Sequence, residues 1–282
     1  MSDYNNKDLI HIKNGDFECL KFRILEKYSD KITHMITLRH GGVSNGVYSS
    51  LNIRTVGKDN IKNVYKNLDI MCENMKIKRD DVYKAKQNHT DNILILDNDN
   101  KKEYNFNNLS EECYDGYITN KSNINTLVTT ADCNPIIIYD PVNNIFANVH
   151  SGWKGTLKRI SKKAAVIMHD KFNSKFEDMI VCIGPSIRKC CFTSLEDEFK
   201  DKFVEVFHNE DEYITKDKDG KYHFNFIYVI KNDLEKLGIK EENIKVANIC
   251  TCCNEEDFYS FRKATMRNDD DYATFATIVG LI

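Results

Sequence analysis

The stretch TTADCNPIIIYDPVNNIFANVHSGWKG, residues 129–155, decides how this chain is read. Two apolar runs, 136–139 and 145–149, are rich in β-branched residues and flank the turn DPVNN, so they read as an antiparallel hairpin. Cys133 stands at one end of the pair and His150 at the other. Pro135 should end the ladder, so TADCNP is expected to bend at a sheet edge. HSGWKG then passes from a strand end through two glycines into a helix. Such a turn aims backbone N–H groups outward and suits an anion, which makes Gly152 and Lys154 candidate anion contacts.

Outward from this stretch, strand-like runs recur at 32–38, 92–96, 126–130, 179–183 and 244–249. Helical spacing alternates with them. In GTLKRISKKAAVIMHDKF, Leu157, Ile160, Ala164, Ile167 and Met168 fall on one face and lysines on the other. IKNVYKNLDIMCENMKI, EDEFKDKFVEVF and FIYVIKNDLEKLG read likewise as amphipathic helices, the last capped by Gly238. The polar stretches 97–112 and 208–223 read as loops. No repeat or linker divides the chain, so the expected fold class is α+β, a single domain of layered mixed β-sheets and helices. Residues 1–30 read as an N-terminal extension or the edge of that domain, and 31–282 as its catalytic body.

The 282 residues are 41% hydrophobic and 29% charged, with a net charge of −3 and no basic block. Those values suit a globular protein with a full core and give no electrostatic reason to expect nucleic acid or a membrane as partner. The N-terminal residues lack a signal-peptide core and no 18-residue apolar run occurs, so a cytoplasmic location is expected. The 10 cysteines are then expected as reduced thiols. No heptad pattern argues for assembly, which leaves a monomer or weak homo-oligomer.

A third residue joins Cys133 and His150. KQNHTDNILIL sets His89 just ahead of another strand, so His, Cys and His could share one sheet end and leave a fourth position open on zinc. Spacings of 44 residues to Cys133 and 17 more to His150 match no compact zinc motif. A Cys133 nucleophile with His150 as base needs the same two residues, and spacing leaves both readings open. Asp132 is the nearest carboxylate for orienting a ligand or moving a proton. CIGPSIRKC suggests another helix start at Ser186, with Arg188 close by, as a second anion site. TLRHGGVSNGVYSSLNI, 37–53, reads as a binding loop around Arg39, whose guanidinium fork matches phosphate or carboxylate. The thiols of RKCCF and ICTCC are read as structural residues in preference to a zinc site.

These pieces together resemble the YfiH family, also called laccase-domain or multicopper-polyphenol-oxidoreductase-like proteins. The resemblance rests on TLRHGGVSNGVYSSLNI, KQNHTDNI, YDGYITN, VTTADCNPIIIYDP, NVHSGWKGT, CIGPSIRKCCF and CTCCNEEDFYSFRK, which occur in the family's order. It implies one domain of layered mixed sheets and helices, like that of toxin deamidases with a Cys–His pair. It implies a zinc held by His89, Cys133 and His150, with copper as adventitious loading.

The implied activity is phosphorolysis of adenosine, inosine, guanosine and methylthioadenosine, with adenosine deamination, so purine nucleosides and phosphate are the expected partners. Similar proteins have also been described as copper polyphenol oxidases and as amide hydrolases editing a peptidoglycan precursor. In this scheme Cys133, His150, Asp132 and Arg39 serve catalysis, and Arg39, Lys154, Gly152, Ser186 and Arg188 bind phosphate or substrate. Phe258 or Phe261 would stack on the base. Two departures stand out: Lys154 replaces the family's arginine, and the family's Gly-Arg before its last strand is missing, with Arg267 nearby.

Overall fold

The computed structural model describes residues 3–104, 106 and 112–282. In chain order, β1 (Leu9–Asn14), β2 (Phe17–Phe22), α1 (Arg23–Glu26) and β3 (Ile32–Thr37) precede the long helix α2 (Ile61–Met75). Next come β4 (Val82–Tyr83), β5 (Ile93–Ile95), β6 (Gly116–Thr119), β7 (Asn125–Thr130), β8 (Asn134–Asp140) and β9 (Ile145–Ser151). The short α3 (Trp153–Leu157) and α4 (Ile160–Phe172) lead to β10 (Ile180–Ile183). The remainder comprises β11 (Thr193–Ser194), α5 (Asp197–Phe207), β12 (Ile214–Lys216), β13 (Tyr222–Phe224), α6 (Phe226–Glu235), β14 (Ile244–Val246), α7 (Phe261–Arg267) and β15 (Phe275–Leu281).

Two six-stranded mixed sheets form the body, ordered β1-β2-β3-β15-β7-β4 and β14-β10-β8-β9-β6-β5. Their inner faces pack together through Leu20, Phe22, Ile36 and Val279 of the first and Ile137, Tyr139, Phe146 and Cys182 of the second. Helix α2 covers the outer face of the first sheet with Val64, Leu68, Met71 and Met75. The outer face of the second packs Ile136, Ile138 and Val149 against Ala164 and Met168 of α4 and Val229 of α6. The layering explains the run NPIIIYD: alternate side chains of β8 enter two different cores, so every residue is buried.

The sheets are also tied by a polar bond. Asn148 of β9 lies fully buried, and its Nδ2 donates to Thr126 O at 3.0 Å and to Thr277 O at 3.1 Å. Both acceptors belong to the first sheet.

Several expectations need correction. Pro135 lies inside β8, opposite His150, and does not end the ladder. Gly184 N–H donates to Pro135 O at 2.9 Å, and Arg188 Nη2 donates to Gly184 O at 3.1 Å, filling the place of the N–H that proline lacks. TADCNP crosses from the first sheet to the second, joining β7 to β8 beside the cavity. No helix starts at Ser186, which stays extended and bridges Cys250.

The helix over 155–172 breaks at Arg159, where φ is +57° and the guanidinium reaches Asp233 at 3.2 Å. The strand over 244–249 stops at Val246, ahead of left-handed Asn248. The stretch 208–223 holds the β12–β13 hairpin as well as its turn. Residues 101–104 form a short 3₁₀ turn within the expected loop 97–112, part of which lies outside the described residues. Residues 9–22 form the edge of the first sheet through β1 and β2.

Replacing Asn148 with Ala leaves two inner-sheet carbonyls without their donor, which should lower unfolding stability by about 2 kcal/mol. A denaturant midpoint equal to the wild type would show that this cross-sheet bond carries no stability.

Candidate metal centre and cavity

His89, Cys133 and His150 arrive from three segments at one end of the sheets. His150 is in β9, Cys133 lies in the β7–β8 crossing, and His89 sits on the loop before β5 with φ +55°. Their donor atoms lie within 4.8 Å of one another, with Cys133 Sγ 3.7 Å from His89 Nε2. The His89 and His150 rings meet at 5.0 Å between centroids and 70° between planes. Two imidazoles and a thiol converging on one point are a donor set suited to zinc or another borderline cation.

One buried carboxylate organises this convergence. Asp115, just before β6, accepts at Oδ1 from His150 Nδ1 at 2.7 Å and from the His89 backbone N–H at 3.0 Å. Its Oδ2 accepts from the Thr90 N–H and hydroxyl at 2.6 and 2.7 Å and from the Asn88 N–H at 3.2 Å. The His150 N–H donates to Asp115 O at 2.7 Å. Burial favours the neutral acid, but the bonds from His150 and Thr90 outweigh it and hold Asp115 below its ordinary value. The carboxylate is ionised and only accepts, so Nδ1 of His150 carries a proton and Nε2 is left for a ligand. The sequence stretch YDGYITN contained Asp115, but nothing in it marked this role.

Electrostatics agree with a reactive pair. Burial would raise the Cys133 thiol, yet His150 charge and hydrogen bonds from both histidines bring it below its ordinary value. Burial works against the His150 imidazolium, but Cys133 and Asp115 raise it above the usual histidine range, so without a cation Nε2 also carries a proton, which a bound cation would displace. Gly152 completes the fit: a Cβ there would stand 2.6 Å from His89 Cδ2 and 2.9 Å from Cys133 Sγ. Only glycine lets the chain pass so close.

A cavity of about 510 Å³ opens over the cluster. Its apolar wall includes Trp153, Ile187, Phe192, Phe226 and Phe261, and its cations are Arg54, Lys84, Lys86, Lys154 and Arg262. Lys84 is only 5% exposed, and among the described residues no carboxylate pairs with its ammonium. Burial, aided by Arg54, lowers Lys84 to about 8. Arg54 pairs with Asp271 at 2.5 Å and lies 4.0 Å over the Tyr272 ring. Sequence reasoning passed over Arg54, Lys84 and Arg262, because lone basic residues in short segments carry no pattern.

The other candidate residues are distributed as follows. Gly152 and Lys154 line the cavity, the latter exposed with its ammonium 5.4 Å from the Trp153 ring. Asp132 also lines it in a left-handed backbone at φ +88°, but both its oxygens are engaged: Thr251 Oγ1 donates at 2.6 Å, the Arg262 N–H at 2.7 Å and Ser260 Oγ at 3.0 Å. Burial nonetheless raises its carboxyl.

Arg39, Ser186 and Arg188 lie outside the cavity lining. Arg39 spends its fork on Ser49 O at 2.8 and 2.9 Å and Glu255 O at 2.6 Å, over the Tyr259 ring. Ser186 is fully buried, and its hydroxyl donates to Asn134 Oδ1 at 2.7 Å. Arg188 serves Gly184, as above. Arg267 pairs with Glu255 and Asp269 at the surface. Phe258 is core, whereas Phe261 is 52% exposed and lines the cavity.

The family described as multi-copper polyphenol oxidoreductase laccase matches residues 33–281. The chain belongs to that family. A curated purine nucleoside phosphorylase of Clostridium acetobutylicum is 34% identical over 252 residues, covering 86% of this chain and 91% of the relative. Another, from Bacteroides thetaiotaomicron, is 28% identical over 255 residues, covering 90% and 94%. The crystal structure of the hypothetical protein YfiH of Bacillus licheniformis superposes with a TM-score of 0.87 at 25% identity, over 96% of this chain and 99% of its own. YlmD of Geobacillus stearothermophilus, at 22% identity and a TM-score of 0.86, shares the fold over 97% and 99%. No helix among the described residues is long and apolar enough to cross a membrane.

Replacing Asp115 with Asn keeps the shape but removes the charge that fixes both histidines. Metal affinity, measured by competition with a chelator, should fall about 10- to 100-fold. An affinity within twofold of the wild type would mean that the histidines are held by packing alone.

Proposed function

We propose that this protein is a zinc-dependent purine nucleoside phosphorylase that also deaminates adenosine, with zinc held by His89, Cys133 and His150. The observation that carries the reading is the His–Cys–His cluster at the floor of a cavity that combines aromatic walls with buried cationic charge. The curated relatives named purine nucleoside phosphorylase supply the reaction class. A bound cation would supply Lewis-acid charge for an attacking oxygen. Asp115 keeps Nδ1 of His150 protonated and its Nε2 turned to the ligand side, and Gly152 leaves the room that this requires.

Phosphorolysis joins a phosphate oxygen to the ribose C1′, breaks the bond from C1′ to the purine nitrogen, and releases the base after it takes up a proton. Deamination adds water at the purine C6 and expels ammonia. Phe192, Phe226 and Phe261 offer faces for a flat base, and the cavity has the size of a small-molecule site. Lys84, Arg54 and Lys154 offer positive charge to phosphate. Lys84 matters most among them, because a buried ammonium without a carboxylate partner meets an anion with little competition from water.

A second reading draws on the same geometry. Asp115, His150 and Cys133 form the order orienting carboxylate, base and thiol, which fits a nucleophile attacking an amide such as that of a peptidoglycan precursor. His89 favours the metal reading, because its Nε2 lies 3.7 Å from the same thiol, where a nucleophile would need open approach. Polyphenol oxidation by several coppers would need further imidazole clusters; among the described residues the other group of donors is made of thiols.

Cys133→Ala should abolish phosphate-dependent release of free base from adenosine and inosine, and ammonia release with it. Full turnover by that variant would overturn the zinc assignment. The free protein should also lose kcat/KM for phosphate as pH rises through about 8, because Lys84 is charged below that value and neutral above it. Lys84→Met should raise the KM for phosphate about tenfold or more and erase that limb. A flat profile, with the variant unaffected, would remove Lys84 from phosphate binding.

A further inference from the structure

A second set of metal donors lies outside the cavity lining and is not used by the reaction. Cys190 and Cys191 sit on the turn between β10 and β11, and Cys250 and Cys253 on the turn after β14. Their four sulfur atoms lie within 4.8 Å of one another, with Cys253 Sγ 3.6 Å from Cys190 Sγ and 3.3 Å from Cys191 Sγ. We propose that these four cysteines bind a zinc ion in a closed tetrathiolate site that fixes the outer wall of the cavity. Sulfur ligands about 2.3 Å from a tetrahedral zinc stand about 3.8 Å apart, inside the range that these atoms span.

The sequence reading favoured structural thiols here, and the proposal departs from it on the convergence of the four sulfurs. Cys250 and Cys253 have C-x-x-C spacing, the form in which one tight turn supplies two ligands to a zinc. The Ser186–Cys250 bridge, with Ser186 N–H donating to Ile249 O and Thr251 N–H to Ser186 O, pins the second turn beside the first. The cysteines fall in two segments about sixty residues apart in sequence, and sheet pairing makes them one cluster.

Charge provides a second, independent observation. Arg188 donates through Nη2 to Gly184 O, while its Nε and Nη1 are buried without a partner. Arg188 opens the turn that carries Cys190 and Cys191, its carbonyl accepting from the Cys191 N–H at 2.9 Å. Four thiolates on a divalent cation carry two net negative charges, which an adjacent buried guanidinium would balance. Four neutral thiols leave that cation without a counter-charge.

The site would stiffen the cavity rather than react. Cys191 O accepts from Arg262 Nη1 at 2.9 Å, Thr251 donates to Asp132 beside Cys133, and Ile187 and Phe192 of the first turn line the cavity. The inference does not depend on the reaction assigned above, because a closed site with no open position needs no substrate.

Metal content of the full chain, purified under reducing conditions with zinc present, tests it. The wild type should hold two equivalents, Cys190→Ser or Cys253→Ser should hold one, and His89→Ala should hold one. Cobalt-loaded His89→Ala should show the intense bands of tetrahedral sulfur coordination, a readout that survives even if the serine variants fail to fold. The proposal is overturned by a wild type with a single equivalent that His89→Ala loses, by cobalt spectra without those bands, or by a disulfide between Cys191 and Cys253 that survives purification under reducing conditions.

Discussion

The carboxylate of Asp115 is the constraint on which the site depends. It is fully buried, and it receives one imidazole N–H, one hydroxyl and the backbone N–H groups of three consecutive residues. A buried carboxylate with so many donors is stable as an anion, and its bonds are stronger than those between neutral groups. That charge fixes a loop residue, His89, against a strand residue, His150, although β5 and β9 are not neighbours in their sheet. Remove the charge and the loop carrying His89 loses its anchor, while His150 becomes free to choose the other tautomer.

The two-sheet body places these residues at one point. The segment TADCNP carries Cys133 from the first sheet to the second at the cavity end. Asp132, in the left-handed region, ties that crossing to Thr251, Ser260 and Arg262 of the C-terminal segments. One side of the crossing thus presents a thiol to the cavity, and the other binds the turn that carries Cys250 and Cys253. The His–Cys–His cluster, the cavity wall and the thiol cluster share a single scaffold.

Much of the core was legible in the chain. The hairpin over 134–151, the helix α2 and the amphipathic pattern of α5 and α6 follow from local spacing, because each buries a face that its sequence already shows. The grouping of His89, Cys133 and His150 needed the resemblance, since 44 and 17 residues of intervening chain are closed only by sheet pairing. Misreadings arose where one interaction overrode local propensity. Pro135 looked like a strand terminator, and Arg188 filled its missing bond from outside. Ser186 looked like a helix start, and pairing with Cys250 kept it extended. Arg39 looked like an anion-binding fork, yet its donors satisfy carbonyls of the loop that contains it and of the C-terminal turn. Asp115 and Lys84 were invisible for a different reason: burial defines their roles, and no neighbour in sequence signals it.

The most direct test is an anomalous-difference map from crystals of the protein, recorded on both sides of the zinc absorption edge. The account predicts a zinc peak bonded to His89 Nε2, Cys133 Sγ and His150 Nε2, with Asp115 still hydrogen-bonded to His150 Nδ1. A map with no metal at these atoms in zinc-supplied crystals, together with a Cys133 that iodoacetamide alkylates with complete loss of activity, would contradict it and identify Cys133 as a nucleophile.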